Sequence, residues 1–190
     1  EISLGLVGSE MCIRDRRGFE RAGVAGFHIE DQVFPKRCGH LEGKTMVPAE
    51  DLAVKIRAIK ENQTDPDLVV IARTDALAVE GYDGAVERMH MYMEAGADVA
   101  FIEAPQTVEQ IERLSADLPY PKLLNMFWGG KTPVVAKDKL ETWGFNLVIV
   151  PGDMQRAAMH AMRQAADAIL MEGHTAVSYT HLRAHETQRN

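Results

Sequence analysis

An apolar run from Val24 to Ile29 leads directly into Glu30, Asp31, Lys36, Arg37, Cys38, Gly39 and His40. Two carboxylates, two cations, an imidazole and a thiol therefore fall within one short Gly/Pro-containing loop at the end of a strand-like segment. Groups able to move protons and grip anions, gathered at such a place, point to an enzyme. Three more apolar runs end the same way: Leu68 to Ala72 in Arg73-Thr74-Asp75, Val99 to Ile102 in Glu103-Ala104-Pro105, and Leu123-Leu124 in Asn125. Taken singly, each has a plainer reading. Cys38 could be an idle small residue, Glu30-Asp31 a solvated pair, Arg73 with Asp75 a structural ion pair, and Glu103 or Asn125 a helix cap. Their recurrence at successive run ends favours one shared site.

The elements that would position these residues follow from punctuation and period. Arg17 to Ala22 reads as a helix end closed by Gly23. Pro48 can open a helix that carries Leu52, Ile56 and Ile59 at helical spacing to about Lys60. Asp83 to Glu94 places Ala85, Val86, Met89, Tyr92 and Met93 on one broad face, with the methionines as core filler. Thr107-Val108-Glu109-Gln110 has capping-box form and starts a helix to about Leu118. A short helix over Asp138 to Trp143, a strand over Leu147 to Val150 and a helix over Asp153 to Glu172 complete the chain. Strands alternate with helices and lack period-two patterning, which predicts a parallel α/β fold with strands covered on both faces. A doubly wound sheet and a (β/α)8 barrel both satisfy that pattern. One polar group at each of many strand ends favours the barrel, and no Gly-x-Gly-x-x-Gly follows any strand, which speaks against dinucleotide binding.

Composition bounds the partners. With 190 residues, 46% hydrophobic and 26% charged, the chain can bury one sizeable core, and a net charge of -7 offers no basic face for nucleic acid. No run of apolar residues is long enough to span a membrane. Two cysteines, Cys12 and Cys38, make no disulfide framework, so a cytoplasmic location is expected. Residues 1–16 and 177–190 resemble translated sequencing-adapter sequence, and the sequence predicts a native domain over 17–176 with Cys38 as its only thiol.

Several segments together carry a resemblance: Gly26-Phe27-His28-Ile29-Glu30-Asp31-Gln32, Lys36-Arg37-Cys38-Gly39-His40, Ile71-Ala72-Arg73-Thr74-Asp75-Ala76, Phe101-Ile102-Glu103-Ala104, Asn125-Met126 and Gly130-Lys131-Thr132-Pro133. Residues 17–176 resemble the isocitrate lyase and phosphoenolpyruvate mutase superfamily. The Lys-Arg-Cys-Gly-His segment resembles its carbon–carbon lyase branch, since the mutases lack that cysteine. The resemblance implies a (β/α)8 barrel of which this chain supplies about strands four to eight. An upstream Asp-x-Asp that looks like the main Mg2+ site, and an upstream tyrosine and serine-glycine loop, are then missing.

The resemblance also implies roles. Glu30 matches a metal-side carboxylate, with Asp31 as an alternative beside it, for Mg2+ or else Mn2+. Arg73 matches the group that grips a substrate carboxylate, and Cys38 the acid or base that protonates the enediolate carbon. Glu103 and Asn125 match residues that hydrogen-bond the substrate. Lys36, Arg37, Gly39 and His40 match substrate-binding residues of the loop, whose cations favour a thiolate. The implied reaction is Mg2+-dependent cleavage of a 2-hydroxy di- or tricarboxylate such as 2-methylisocitrate or 2,3-dimethylmalate. Phe101-Ile102-Glu103-Ala104-Pro105 leans toward the second or toward oxaloacetate-acting members, and phosphonate mutase chemistry or an inactive fragment are the alternatives. The implied partner is a small carboxylate, and full-length relatives are expected to be homotetramers. His28 is expected to be a core or supporting histidine.

Overall fold

The computed structural model describes residues 4–174, with side chains from residue 12. The expected boundary at residue 177 lies outside the described residues, and helix α1 (Leu4–Arg21) runs through the one expected after residue 16. Arg16 is buried there beside Glu20, with Nε and Nη2 unpartnered among the described residues.

The described residues fall into two compact units, 4–149 and 150–174. In the first, β1 (Gly26–Glu30), α2 (Ala49–Asn62), β2 (Val69–Thr74), a 3-10 turn (Ala76–Ala78), α3 (Gly81–Glu94), β3 (Val99–Ile102), α4 (Val108–Asp117), β4 (Lys122–Asn125), α5 (Lys137–Thr142) and β5 (Phe145–Ile149) alternate as the sequence predicts. All four strand pairings are parallel, in the order β1-β2-β3-β4-β5. The second unit contributes α6 (Asp153–Glu172), framed by left-handed Gly152 and Gly173.

Gly23 stops α1 at φ +71°, a conformation glycine adopts without the clash other residues meet. Just before it, Glu20 accepts from Thr64 N at 2.9 Å, Thr64 Oγ1 at 2.7 Å and Asp65 N at 3.1 Å, joining α1 to the end of α2. The capping box at α4 forms only in half. The Thr107 hydroxyl accepts from Gln110 N at 3.1 Å, but Gln110 Oε1 accepts from Gln106 N, one residue outside the expected partner.

The core lies between the sheet and its helices. Leu52, Ile56, Met89, Tyr92, Ile111, Leu114 and Leu140 pack on Ala72, Ala100 and Leu124. On the opposite face, Val99, Phe101 and Leu123 form a smaller cluster with Val69 and Ile71. Strands β3 and β4 are buried throughout, as expected for covered strands. The two edge strands correct that expectation: after Phe145, all of β5 is exposed, and so is His28 in the middle of β1. Among the described residues no helix is long and apolar enough to cross a membrane.

Candidate active site

Parallel register gathers the chemistry. In β2 the residues alternate, with Val70, Ala72 and Thr74 buried toward the helices and Val69, Ile71 and Arg73 on the other face. Glu30 pairs with Arg73 across β1 and β2, and Arg73 with Phe101 across β2 and β3. The Arg73 guanidinium lies 5.2 Å from the Phe101 ring centre. Its Nε donates to Asp75 Oδ2 at 2.9 Å and its Nη2 to Asp75 Oδ1 at 3.2 Å, a two-pronged grip that fixes the plane. Nε is also 3.6 Å from Glu30 Oε2, and Nη2 is 3.5 Å from Glu103 Oε2. Lys36 Nζ takes the other Glu30 oxygen at 3.3 Å.

Glu103 is 1% exposed and receives Asn125 Nδ2 at 3.1 Å on Oε1. Burial raises its pKa, against the opposing pull of Arg73. Directly after it, Ala104 adopts φ +58°, a left-handed conformation that costs a residue with a Cβ about 1 kcal/mol. Asn125 Oδ1 and Thr132 Oγ1, both buried, find no hydrogen-bond partner among the described residues.

The thiol comes to this face on a folded-back loop. Val47 N donates to Asp31 O and Val33 N to Thr45 O, each at 2.8 Å, with Gln32 bridged to Met46 in antiparallel fashion. The Gln32 amide clasps the outgoing leg, donating to Arg37 O at 2.9 Å and accepting from Arg37 N at 3.0 Å. At the tip Gly39 rests on the acid–base pair. A Cβ at that position would lie 2.7 Å from both Arg73 Nη2 and Glu103 Cδ, and would overlap Glu103 Cγ. Cys38, its neighbour, is exposed.

His40 closes the far side. Its Nδ1 accepts from Lys131 N at 3.0 Å, so the neutral ring carries its proton on Nε2, which lies 3.1 Å from Glu103 Oε1 but out of line for a hydrogen bond. Burial, then the charges of Lys44, Lys131 and Arg73, lower its pKa and favour that neutral form. Phe127 meets the ring edge-on at 4.8 Å, and Lys131 Nζ pairs with Glu42.

Glu30, Lys36, Gly39, His40, Arg73, Glu103 and Asn125 thus converge, with Cys38 beside Gly39. Two other candidates do not join them. Arg37 donates to Glu42 O at 3.2 Å and serves the loop itself. Asp31 is turned beneath the sheet: its Oδ2 accepts from Thr74 Oγ1 at 2.6 Å and Tyr92 OH at 2.8 Å, near Arg88 at 3.5 Å, and its Oδ1 accepts from Asp75 N at 3.1 Å. Burial raises its pKa against those donors. His28 is no core residue; it stands exposed, edge-on to Phe101 at 6.4 Å. Sequence reasoning missed Lys44, whose side chain is 1% exposed, because a lysine after glycine in a polar loop reads as solvated.

Among the described residues no three His, Cys, Asp or Glu side chains gather as a cation site. The carboxylates on this face are already engaged: Glu30 by Lys36 and Arg73, Asp75 by Arg73 and Lys44, and Glu103 by Arg73 and Asn125. That set does not fit a resident divalent ion unaided.

Comparison with known proteins follows the same lines. The phosphoenolpyruvate phosphomutase family profile matches residues 13–170. The chain is similar to 2-methylisocitrate lyase of Bacillus subtilis (strain 168), 45% identical over 161 residues, covering 85% of this chain and 53% of the relative. It is similar to 2,3-dimethylmalate lyase of Eubacterium barkeri, 42% identical over 150 residues, covering 79% and 52%. A solved oxaloacetate acetylhydrolase with the inhibitor 3,3-difluorooxalacetate superposes with a TM-score of 0.83 at 33% identity, over 95% of this chain and 62% of that one. The chain spans about half the length of the curated relatives it matches.

Proposed function

This chain belongs to the phosphoenolpyruvate phosphomutase family, and from that premise we propose that it carries the thiol-bearing half of a carbon–carbon lyase site. Its substrate would be a 2-hydroxy di- or tricarboxylate of the 2-methylisocitrate or 2,3-dimethylmalate type. The observation that carries this reading is the seating of Gly39 on Arg73 and Glu103, which brings Cys38 to the residues suited to hold a carboxylate.

The chemistry follows from charge. Transfer of the C2 hydroxyl proton to a general base sends the C2–C3 electron pair to C3, where the adjacent carboxylate takes it up as an enediolate. C2 leaves as a 2-oxo acid, and C3 must be protonated. Arg73 offers a fixed planar cation, and the guanidinium edge away from Asp75 suits a substrate carboxylate. Glu103 holds the Asn125 amide in place, and that amide can meet a second carboxylate as a donor. Cys38, exposed beside Gly39, delivers the proton to C3 from the loop tip. Glu30 is the carboxylate this chain would add to a Mg2+ site whose other ligands are not among the described residues.

In a full-length enzyme carrying these residues, Cys38→Ser is expected to lose most turnover while oxalate, an enediolate-like dianion, still binds by calorimetry. Undiminished cleavage by Cys38→Ser would remove the thiol from the reaction. The superposition on oxaloacetate acetylhydrolase favours one second reading, hydrolysis of oxaloacetate on the same face. Product analysis separates the two, since a lyase releases a 2-oxo acid and the hydrolase reaction yields oxalate.

A further inference from the structure

Among the described residues, Lys44 is the one buried cation at this face to which no role has fallen. Its Nζ donates to Gly39 O and stands 3.3 Å from Asp75 Oδ1. It therefore touches three parts of the unit at once: the returning leg of the loop from which it projects, the loop tip, and the end of β2. Asp75 is itself immobile. It is fully buried, holds Arg73 by two hydrogen bonds and donates its backbone N–H to Asp31.

We propose that Lys44 is the positioning residue that seats the Cys38 loop over Arg73 and Glu103, with Asp75 as its anchor. The inference rests on the lyase reading for its consequence in turnover, and on geometry alone for the seating. Other ties to the loop are looser. Lys36, Arg37 and Glu42 are exposed, and His40 is hydrogen-bonded to Lys131 N of another loop while its Nε2 lies 3.1 Å from Glu103 without a hydrogen bond. Among the described residues, Lys44 joins the tip to the end of β2 by a charged side chain that is 1% exposed, and in such a buried setting a hydrogen bond is electrostatically stronger than in water. The Gly39 carbonyl is held one peptide unit from the Cys38 carbonyl, so its position sets where the thiol stands. Lys44 acts through that peptide rather than on substrate.

Two measurements test this. In the chain, hydrogen exchange over residues 33–46 is expected to quicken on the order of tenfold in Lys44→Met, with β3 and α4 unchanged. In a full-length enzyme carrying these residues, kcat is expected to fall about thirtyfold with KM within about threefold, because misplacing a reacting group costs the chemical step more than binding. Lys44→Arg, which keeps a charged donor, should recover part of kcat. If Lys44→Met lacks a native near-ultraviolet circular dichroism spectrum, Lys44→Gln decides by the same two measurements. Wild-type loop exchange in the folded variant overturns the proposal, as does a loss that falls on KM alone. Quickened exchange with no cleavage even by the unmodified enzyme would sustain the seating and overturn the lyase reading instead.

Discussion

Replacing Gly39 with alanine adds one methyl group at the point where the loop meets the site. The new Cβ would stand 2.7 Å from Arg73 Nη2 and Glu103 Cδ, nearly 1 Å inside ordinary contact. Neither neighbour can retreat. Arg73 is clamped by Asp75 from two nitrogens, and Glu103 is 1% exposed with Asn125 behind it. The loop must give instead. Overpacking of this kind costs about 2 kcal/mol, roughly a thirtyfold loss of the seated loop. Because the strain falls on a loop and not on the core, Tm should move by less than about 2 °C. Trypsin provides the assay, since Lys36 and Arg37 are exposed in the same loop. Cleavage there should quicken by about the same thirtyfold factor if it follows the opened population, and kcat of a full-length enzyme should fall in parallel. Wild-type cleavage with unchanged kcat would mean that the loop does not rest where Gly39 places it. A fall in Tm of many degrees would mean that the core, not the loop, absorbs the methyl group.

Two further outcomes follow from burial. Glu103 has its pKa raised by burial, so the native state holds this proton more tightly than the unfolded chain. Its favourable contribution is present below the ordinary value of 4.5 and is lost as pH rises through the raised native value. Glu103→Gln should therefore melt at or above the wild-type temperature at pH 8, with the difference closing toward pH 4; a gap that widens on acidification would contradict the sign. Tyr92→Phe removes one donor from the buried Asp31 carboxylate, at a cost of about 2 kcal/mol for a hydrogen bond to a charged group. A urea midpoint that does not move would free Asp31 from its part in the framework.

Much of the fold was legible because its signals are local. Gly23 ends α1 and Pro48 opens α2 where chain punctuation places them, and the apolar runs become β1 to β4 with their polar residues at the strand ends. Since parallel strands share one direction, residues at run ends had to meet at one edge of the sheet. What stayed hidden depends on how the chain folds back. Nothing near Lys44 announces that residues 45–47 return against 31–33 and bury it. Asp31 and Glu30 are adjacent in sequence, yet alternation along the strand sends them to opposite faces. The exposure of His28 and β5 reflects their place at the two edges, which period cannot reveal.

The Asp31 carboxylate also has an evolutionary side. It binds Tyr92 and Arg88 of α3 on one oxygen and the Asp75 backbone on the other. A helix well away from the thiol is thereby tied, through two carboxylates, to the plane of Arg73. Positions 31, 88 and 92 should consequently vary together or not at all among homologues. A laboratory selection for a new acid substrate should draw compensating changes from α3 as well as from the face that touches substrate.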